Sequence, residues 1–327
     1  KKKKTLFWLF FFNNKSINEI YPIKEDIDSK IDLYTILLDF IENEDELIPE
    51  ELKNRLNESK ENVNTEDKIS IFHIVLSLYN NHQRNNNFKT KIEDIFKYLT
   101  NTLKQMMTNS EIYDFFKSNK LIILYLIENQ IIEIDEQIIN QIKGEKSYRH
   151  FFYPEIAQFL KEEEKEEIKK EMLLNDSNIF DEFEKKRKDG ENESYICSLI
   201  RNDDVVEFIS YINQTNIPLS SKLKRSIFET NSFLIDNEPT ILEYATFFGS
   251  IQIFNYLINN GIKLEKSIWK YAIHSNNAEI IDTLLNRHIE PEDNTYLKCL
   301  EESIKCHHNE IANYILDNLF TYNNEEY

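Results

Sequence analysis

Asn237–Gly261 reads NEPTILEYATFFGSIQIFNYLINNG, and its pattern decides the fold. Leu242 and Ala245 stand three apart, so they share one face of a short helix. Gln252–Leu257 (QIFNYL) places apolar residues at Ile253, Phe254 and Leu257, the stripe of a second helix with one buried side. Gly249 and Gly261 each follow one of these helices, where a left-handed capping residue is needed and glycine adopts it without steric cost. The stretch is a helical hairpin.

The second half of that pattern recurs along the chain. Leu121–Leu126 (LIILYL), Glu155–Leu160 (EIAQFL), Asp204–Ile209 (DVVEFI), Glu279–Leu284 (EIIDTL) and Glu310–Ile315 (EIANYI) share apolar second and third positions. Their fifth position is usually aromatic and their sixth is Leu or Ile. With Gln252 included, the starts are separated by 34, 49, 48, 27 and 31 residues. Seven residues before the last three copies stands a small residue, Ala245, Ala272 or Ser303. Three before that stands a large apolar one, Leu242, Trp269 or Leu300, and Cys197 takes the small slot before the Asp204 copy. A small residue lets two antiparallel helices approach, while the large one fills the layer between successive pairs. In the Glu279 copy the two glycine positions are Asn276 and His288, and Asn is the next choice for a left-handed conformation.

This stretch resembles an ankyrin repeat. Thr240-Ile241-Leu242-Glu243 stands where that family carries Thr-Pro-Leu-His, Ala245 where its first core alanine falls, and Gly249 and Gly261 on its two glycines. Leu264–His288 and Asn294–Asn318 are weaker copies, and the first, fourth and fifth spacings bracket the ~33 residues of an ankyrin unit. More narrowly, the chain is similar to a large, uncharacterised ankyrin-containing family of anaerobic flagellate protists, described only as a domain of unknown function. Ser226–Phe233 (SIFETNSF), Glu243–Gly249 (EYATFFG), Lys305–Asn313 (KCHHNEIAN), Asn80–Arg84 (NNHQR) and Asn109–Asp135 carry that likeness, which covers nearly everything after Ile31. The Pro and His missing from the turn motif are its departure. The likeness implies an interaction scaffold and no reaction.

Elsewhere the periodicity is again helical. Ile31, Tyr34, Leu38 and Ile41 fall on one face, as do Ile69, Phe72, Leu76 and Tyr79, and likewise Ile92, Phe96, Leu99 and Leu103. Thr90 with Glu93 reads as a capping box opening the third of these, and Pro49 before Glu50 and Glu51 as a first helical turn. No convincing strand of period two is present. The expected fold is all-α, an α-solenoid of stacked helix-turn-helix, ankyrin-like repeats at 194–320 with a divergent helical half at 31–188. A linker is expected at 189–193, a poorly ordered leader at 1–30 and a tail at 321–327.

Composition narrows the function. The 327 residues carry 39 Lys and Arg against 58 Asp and Glu, a net charge of −19. Such a surface repels phosphate backbones, so no nucleic-acid partner is expected. With 22 Phe, 17 Tyr and 41% hydrophobic residues the chain is too apolar to be disordered. Four Gly and six Pro are too few for the turns of sandwiches and barrels, or for glycine-rich phosphate loops. Three cysteines make no disulfide scaffold and fit a reducing cytosol. Lys1–Lys4 before the apolar run Leu6–Phe12 imitate a signal peptide, but the run is far short of the ~20 residues that span a bilayer and no small-residue cleavage site follows. A first residue that is Lys rather than Met is read as a fragment or an uncertain start. The expected location is cytoplasmic, with no membrane span. Lys161–Glu171 reads as a solvated helix surface paired at Glu162–Lys165 and Glu166–Lys170. Lys185–Lys188 (KKRK) offers a nuclear-localisation patch and hence a nuclear adaptor as the alternative function, although the polar neighbourhood favours a linker.

Reactive chemistry is sparse. Cys299, Cys306, His307 and His308 form the densest cluster, but Cys299 and Cys306 lie two turns apart, roughly 10 Å along one helix. No metal site is expected from them, and no C-x-x-C or H-x-x-x-H spacing offers another. Cys197 and Cys299 read as small buried hydrophobes. Walker, G-x-G-x-x-G, G-x-S-x-G and kinase motifs are absent, so neither an enzyme nor a cofactor is expected, and an enzyme with no recognisable motif is the lesser alternative. The candidate partner-binding residues are the pairs that follow the core slot of each inner helix: Leu199 and Ile200, Phe247 and Phe248, His274 and Ser275, Lys305 and Cys306. A constant frame with changing side chains on one face is how solenoids build recognition surfaces. For Phe247 and Phe248, burial against the neighbouring helix is an equal alternative. The function expected is a non-enzymatic scaffold that holds another protein, by charge a basic one, in the concave face of the repeats.

Overall fold

The computed structural model describes residues 35–41, 48, 50, 53, 65–81 and 88–320. The expected leader, the turn at Pro49, the face at Ile31 and Tyr34, and the tail lie outside them. Among the described residues the chain is helical and contains no strand; one isolated antiparallel bridge joins Lys222 to Thr240. In chain order the helices are α1 (Thr65–Asn81), α2 (Phe88–Met106), α3 (Asn109–Phe116), α4 (Lys120–Glu128), α5 (Glu136–Gly144) and α6 (Lys146–Phe151). They continue with α7 (Tyr153–Ile156), α8 (Glu162–Asn175), α9 (Phe183–Asp189), α10 (Tyr195–Arg201), α11 (Val205–Thr215) and α12 (Ser232–Asn237). The last six are α13 (Ile241–Phe248), α14 (Ile251–Asn259), α15 (Ile268–Ser275), α16 (Ala278–Asn286), α17 (Leu297–Lys305) and α18 (Asn309–Asn318). The chain divides into two compact units. Of the described residues, one holds 35–39, Tyr195–Leu223 and 238–320; the other holds those within 40–194 together with Lys224–Asn237.

In the second of these units the α2 stripe is buried as its spacing dictates, with Ile92, Phe96, Leu99 and Leu103 all in the core. Phe116 meets Phe72 and Phe96 edge-on at 6.4 and 5.4 Å, which joins α1, α2 and α3 through one aromatic cluster. Helix α2 begins at Phe88, so Thr90 is already inside it and does not cap it. The Glu155 copy of the repeated pattern is broken. Pro154 opens the four-residue α7, and a 3-10 turn over Ala157–Phe159 follows where the other copies run on as one helix. On α8, Glu162 pairs with Lys165 at 2.6 Å as expected, whereas Glu166 pairs with Lys169 at 3.4 Å.

Two features of the sequence reading are corrected here. Residues 189–193 are not a loose linker. Gly190 caps α9 at φ +69, where an added Cβ would run into Leu121 and Thr230, and its carbonyl accepts from Thr230 N at 3.1 Å and Thr230 Oγ1 at 2.8 Å. Asn192 is buried, and Glu229 accepts from the amides of Asn192, Thr230 and Asn231 at 3.3, 3.1 and 2.9 Å. These bonds also place Lys224–Asn237, read as part of 194–320, in the second unit. The basic run is not linker either, because Lys185–Lys188 lies within α9. Arg187 is buried, donating to Glu155 at 2.6 Å, Glu184 at 2.7 Å and the Phe151 carbonyl at 3.2 Å.

The first unit is built from helix pairs, α10 with α11, α13 with α14, α15 with α16 and α17 with α18. The first helices pack in succession, α10 on α13, α13 on α15 and α15 on α17, and α11 packs on α14. Each first helix closes on a left-handed residue, Asp203, Gly249, Asn276 or His307. Its amide reaches back to the carbonyl of Ile200, Thr246, Ile273 or Ile304 at 2.9–3.2 Å. The next amide, of Asp204, Ser250 or His308, bonds Leu199, Ala245 or Ser303 at 2.9–3.0 Å, completing a Schellman closure. The second helices α14 and α16 end on left-handed Gly261 and His288, after which Ile262 and Ile289 donate to Leu257 and Leu284 at 3.2 and 3.0 Å. Helix α4 of the other unit ends alike, on Gln130, with Ile131 bonding Leu126 at 2.8 Å. The small slots Ala245, Ala272 and Ser303 have no exposed surface, and Leu242, Trp269 and Leu300 are buried beside them.

These junctions shift one register. Aligned on them, the small slot of α10 falls on Leu199, two residues beyond Cys197. Leu199 and Ile200 therefore match Ala245 and Thr246 in the core, and Arg201 and Asn202 stand where Phe247 and Phe248 do. The cause is that Asp204 is itself the N-cap of α11, whereas α14 and α16 are capped two residues before their patterns begin, at Ser250 and Asn277.

Candidate functional site

Near the C-terminal ends of the first helices, side chains meet from one pair to the next. Arg201 Nη1 donates to Tyr244 Oη at 2.9 Å. Tyr244 and Phe248, one turn apart on α13, pack at 4.6 Å, and Phe247 meets Phe248 edge-on at 5.1 Å. Phe247 then lies 5.1 Å from the His274 ring on α15. His274 Nε2 is 2.8 Å from Glu302 Oε1 on α17, and its Nδ1 is 3.4 Å from Cys306 Sγ at the end of that helix. One row of contacts thus crosses four helix pairs.

The row is mostly interior. Of the residues the sequence singled out, Leu199, Ile200, Phe247, His274 and Cys306 are buried, Phe248 and Ser275 are half-buried, and Lys305 is exposed. Leu199 and Ile200 are inside because of the register shift. For Phe247 the core alternative holds, since its ring fills the layer between α13 and α15. His274 is drawn in by its carboxylate partner, which satisfies a buried imidazole. Ser275 accepts from the amide of Asn277 at 3.1 Å while donating to Ala272 O at 2.6 Å, so its hydroxyl serves the turn.

Electrostatics concentrate at the α15–α17 end. Burial pushes the Glu302 carboxyl up, but the hydrogen bond and charge of His274, with Lys305 Nζ at 3.3 Å, outweigh it and hold the group below its ordinary value. Nε2 thus faces the carboxylate, and Nδ1 faces the Cys306 thiol at 3.4 Å. An imidazole nitrogen, a carboxylate oxygen and a sulfur therefore converge within 4.8 Å of one another. Among the described residues no other group of His, Cys and acidic side chains is so disposed to hold a metal ion. Cys299 takes no part, and burial pushes its thiol up to about 12. The sequence reading set Cys306 beside its chain neighbours Cys299, His307 and His308. It missed Glu302, whose spacing of four from Cys306 puts both on one helical face.

A concavity of about 580 Å³ in the second unit is lined in part by Lys117, Lys120, Glu145, Tyr148, Thr230 and Asp236. Burial pushes the Lys120 amine down to about 8, and its ammonium sits 5.5 and 5.4 Å from the Tyr148 and Phe151 ring centres. No sequence pattern marks this lysine. No described helix is long and apolar enough to cross a membrane. No family model, curated protein or solved structure matches the chain.

Proposed function

We propose that the chain is a non-catalytic scaffold that binds another protein along the first helices of its first unit (α10, α13, α15 and α17), an ankyrin-like solenoid. The observation that carries this reading is the lateral row from Arg201 to Cys306. It fixes the first helices in register while leaving Phe248, Ser275 and Lys305 at the surface at successive helix ends. A rigid frame with different side chains at the ends of successive helices supplies specificity without rearrangement. The net charge of −19 favours a basic partner and a salt-sensitive association rate.

The test is site-specific photo-crosslinking in cells. A photoreactive amino acid replaces Phe248, Ser275 or Lys305 on the first helices, or the exposed Asp282 on α16. One protein adduct common to the first-helix positions and absent at Asp282 supports the proposal. An adduct formed at Asp282 and not at the others contradicts it.

A further inference from the structure

We infer that His274, Glu302 and Cys306 form a binding site for a zinc-class divalent cation that ties α15 to α17. The inference is independent of the scaffold reading. Glu302 and Cys306 are one turn apart on α17, a spacing that aims two ligands at one point, and His274 reaches the same point from α15. With bonds of about 2.3 Å to sulfur and 2.0–2.1 Å to nitrogen or oxygen, tetrahedral angles separate the sulfur and nitrogen ligands by about 3.6 Å and the nitrogen and oxygen by about 3.3 Å. Cys306 Sγ lies 3.7 Å from His274 Nε2, the required spacing, but 3.4 Å from Nδ1, so the thiol stands over the ring and has to rotate toward the Nε2 side to share an ion with it. Nε2 and Glu302 Oε1 are closer, at 2.8 Å, because a proton bridges them; an ion in its place widens the gap by about half an ångström.

The donor set selects the ion. A thiolate and an imidazole favour zinc and cobalt over magnesium and calcium, which take oxygen. One thiolate and one carboxylate balance a 2+ charge, which suits a site where Cys306 and His274 are buried. Binding sends the thiol proton to solvent and moves the imidazole proton from Nε2 to Nδ1. The Glu302 side chain is 14% exposed, so the fourth position opens on its side, to water. Two neighbours hold the ligands in place, the Phe247 ring against the imidazole and Lys305 Nζ on the second carboxylate oxygen at 3.3 Å.

The test is a cobalt(II) titration of the full-length chain under reducing conditions, followed by absorbance and back-titration with zinc. One equivalent is expected to raise a thiolate-to-cobalt charge-transfer band with the intense visible bands of a tetrahedral site, both removed by zinc. They should persist in Cys197→Ser and Cys299→Ser and vanish in Cys306→Ser. Glu302→Gln, at a partly exposed position, should weaken cobalt binding more than about 10-fold. Wild-type protein without the band overturns the proposal whatever the variants do. So does a band that survives in a folded Cys306→Ser, or unchanged affinity in Glu302→Gln.

Discussion

Trp269 is the side chain on which the last two helix pairs most depend. It is 1% exposed, its indole Nε1 donates to the Ile289 carbonyl at 2.6 Å, and its ring meets Tyr296 edge-on at 5.2 Å. It therefore joins α15 to both ends of the segment between α16 and α17. Truncating a buried tryptophan to alanine costs about 3–5 kcal/mol in lost transfer energy and cavity. The Ile289 carbonyl, deprived of its donor, adds about 1 kcal/mol. Trp269→Ala should thus cost about 4–6 kcal/mol, comparable to the whole stability of many domains. Because each pair packs mainly on its neighbours, the loss should fall first on α15–α18. Hydrogen exchange read by mass spectrometry on the full chain resolves this. Peptides from α15–α18 should lose about a thousandfold in protection, while those from α2–α5 keep wild-type rates. A loss below about 1.5 kcal/mol, or equal loss in both units, would refute the reasoning.

Two further predictions concern buried charge in the second unit. Arg149 at 2.8 Å, together with His150, holds the Glu171 carboxyl down at about 2. A lowered carboxylate stabilises the fold above its unfolded value near 4.5, and that contribution disappears as pH falls toward 2. Since Glu171 is 26% exposed, Glu171→Gln should cost only about 1–2 kcal/mol by urea denaturation at pH 7, and nothing at pH 2. For Lys120 the contribution at pH 7 is destabilising instead. Its amine falls to about 8 from 10.5, so the unfolded chain takes up the proton first and stability declines as pH drops through that interval. Lys120→Met should stabilise the protein by about 1–3 kcal/mol at pH 7, with the gain shrinking toward pH 10.5; destabilisation at pH 7 would show that the cation–π contacts outweigh desolvation.

Much of the helix punctuation was legible because a left-handed cap leaves a mark in the sequence. Gly249, Gly261, Asn276 and His288 all adopt the positive φ their positions called for. The core slots Ala245, Ala272, Ser303 and Trp269 were readable for a similar reason, since helix packing restricts side-chain volume at a fixed offset. Where Asp203 takes the left-handed role, no glycine or asparagine marks the position, and the α10 register was misread by two residues. Arg187 read only as part of the basic run Lys185–Lys188, because the acid that draws it inside, Glu155, is 32 residues away. The same distance hid the candidate cation site. His274 and Cys306 are 32 residues apart, one repeat, and a motif search confined to one helix does not pair them.

The measurement that bears most directly on the scaffold proposal is a set of equilibrium binding isotherms with the protein captured by crosslinking. Phe248→Ala and Lys305→Glu on the first helices are compared with Asp282→Ala on α16, all in the full-length chain with unchanged helical circular dichroism. A recognition surface along the first helices predicts that Phe248→Ala weakens binding by about 1–2 kcal/mol and Lys305→Glu changes it measurably, while Asp282→Ala stays within about 0.5 kcal/mol of wild type. Full affinity in Phe248→Ala and Lys305→Glu, with a loss in Asp282→Ala, would place the partner on the second helices and contradict the proposal.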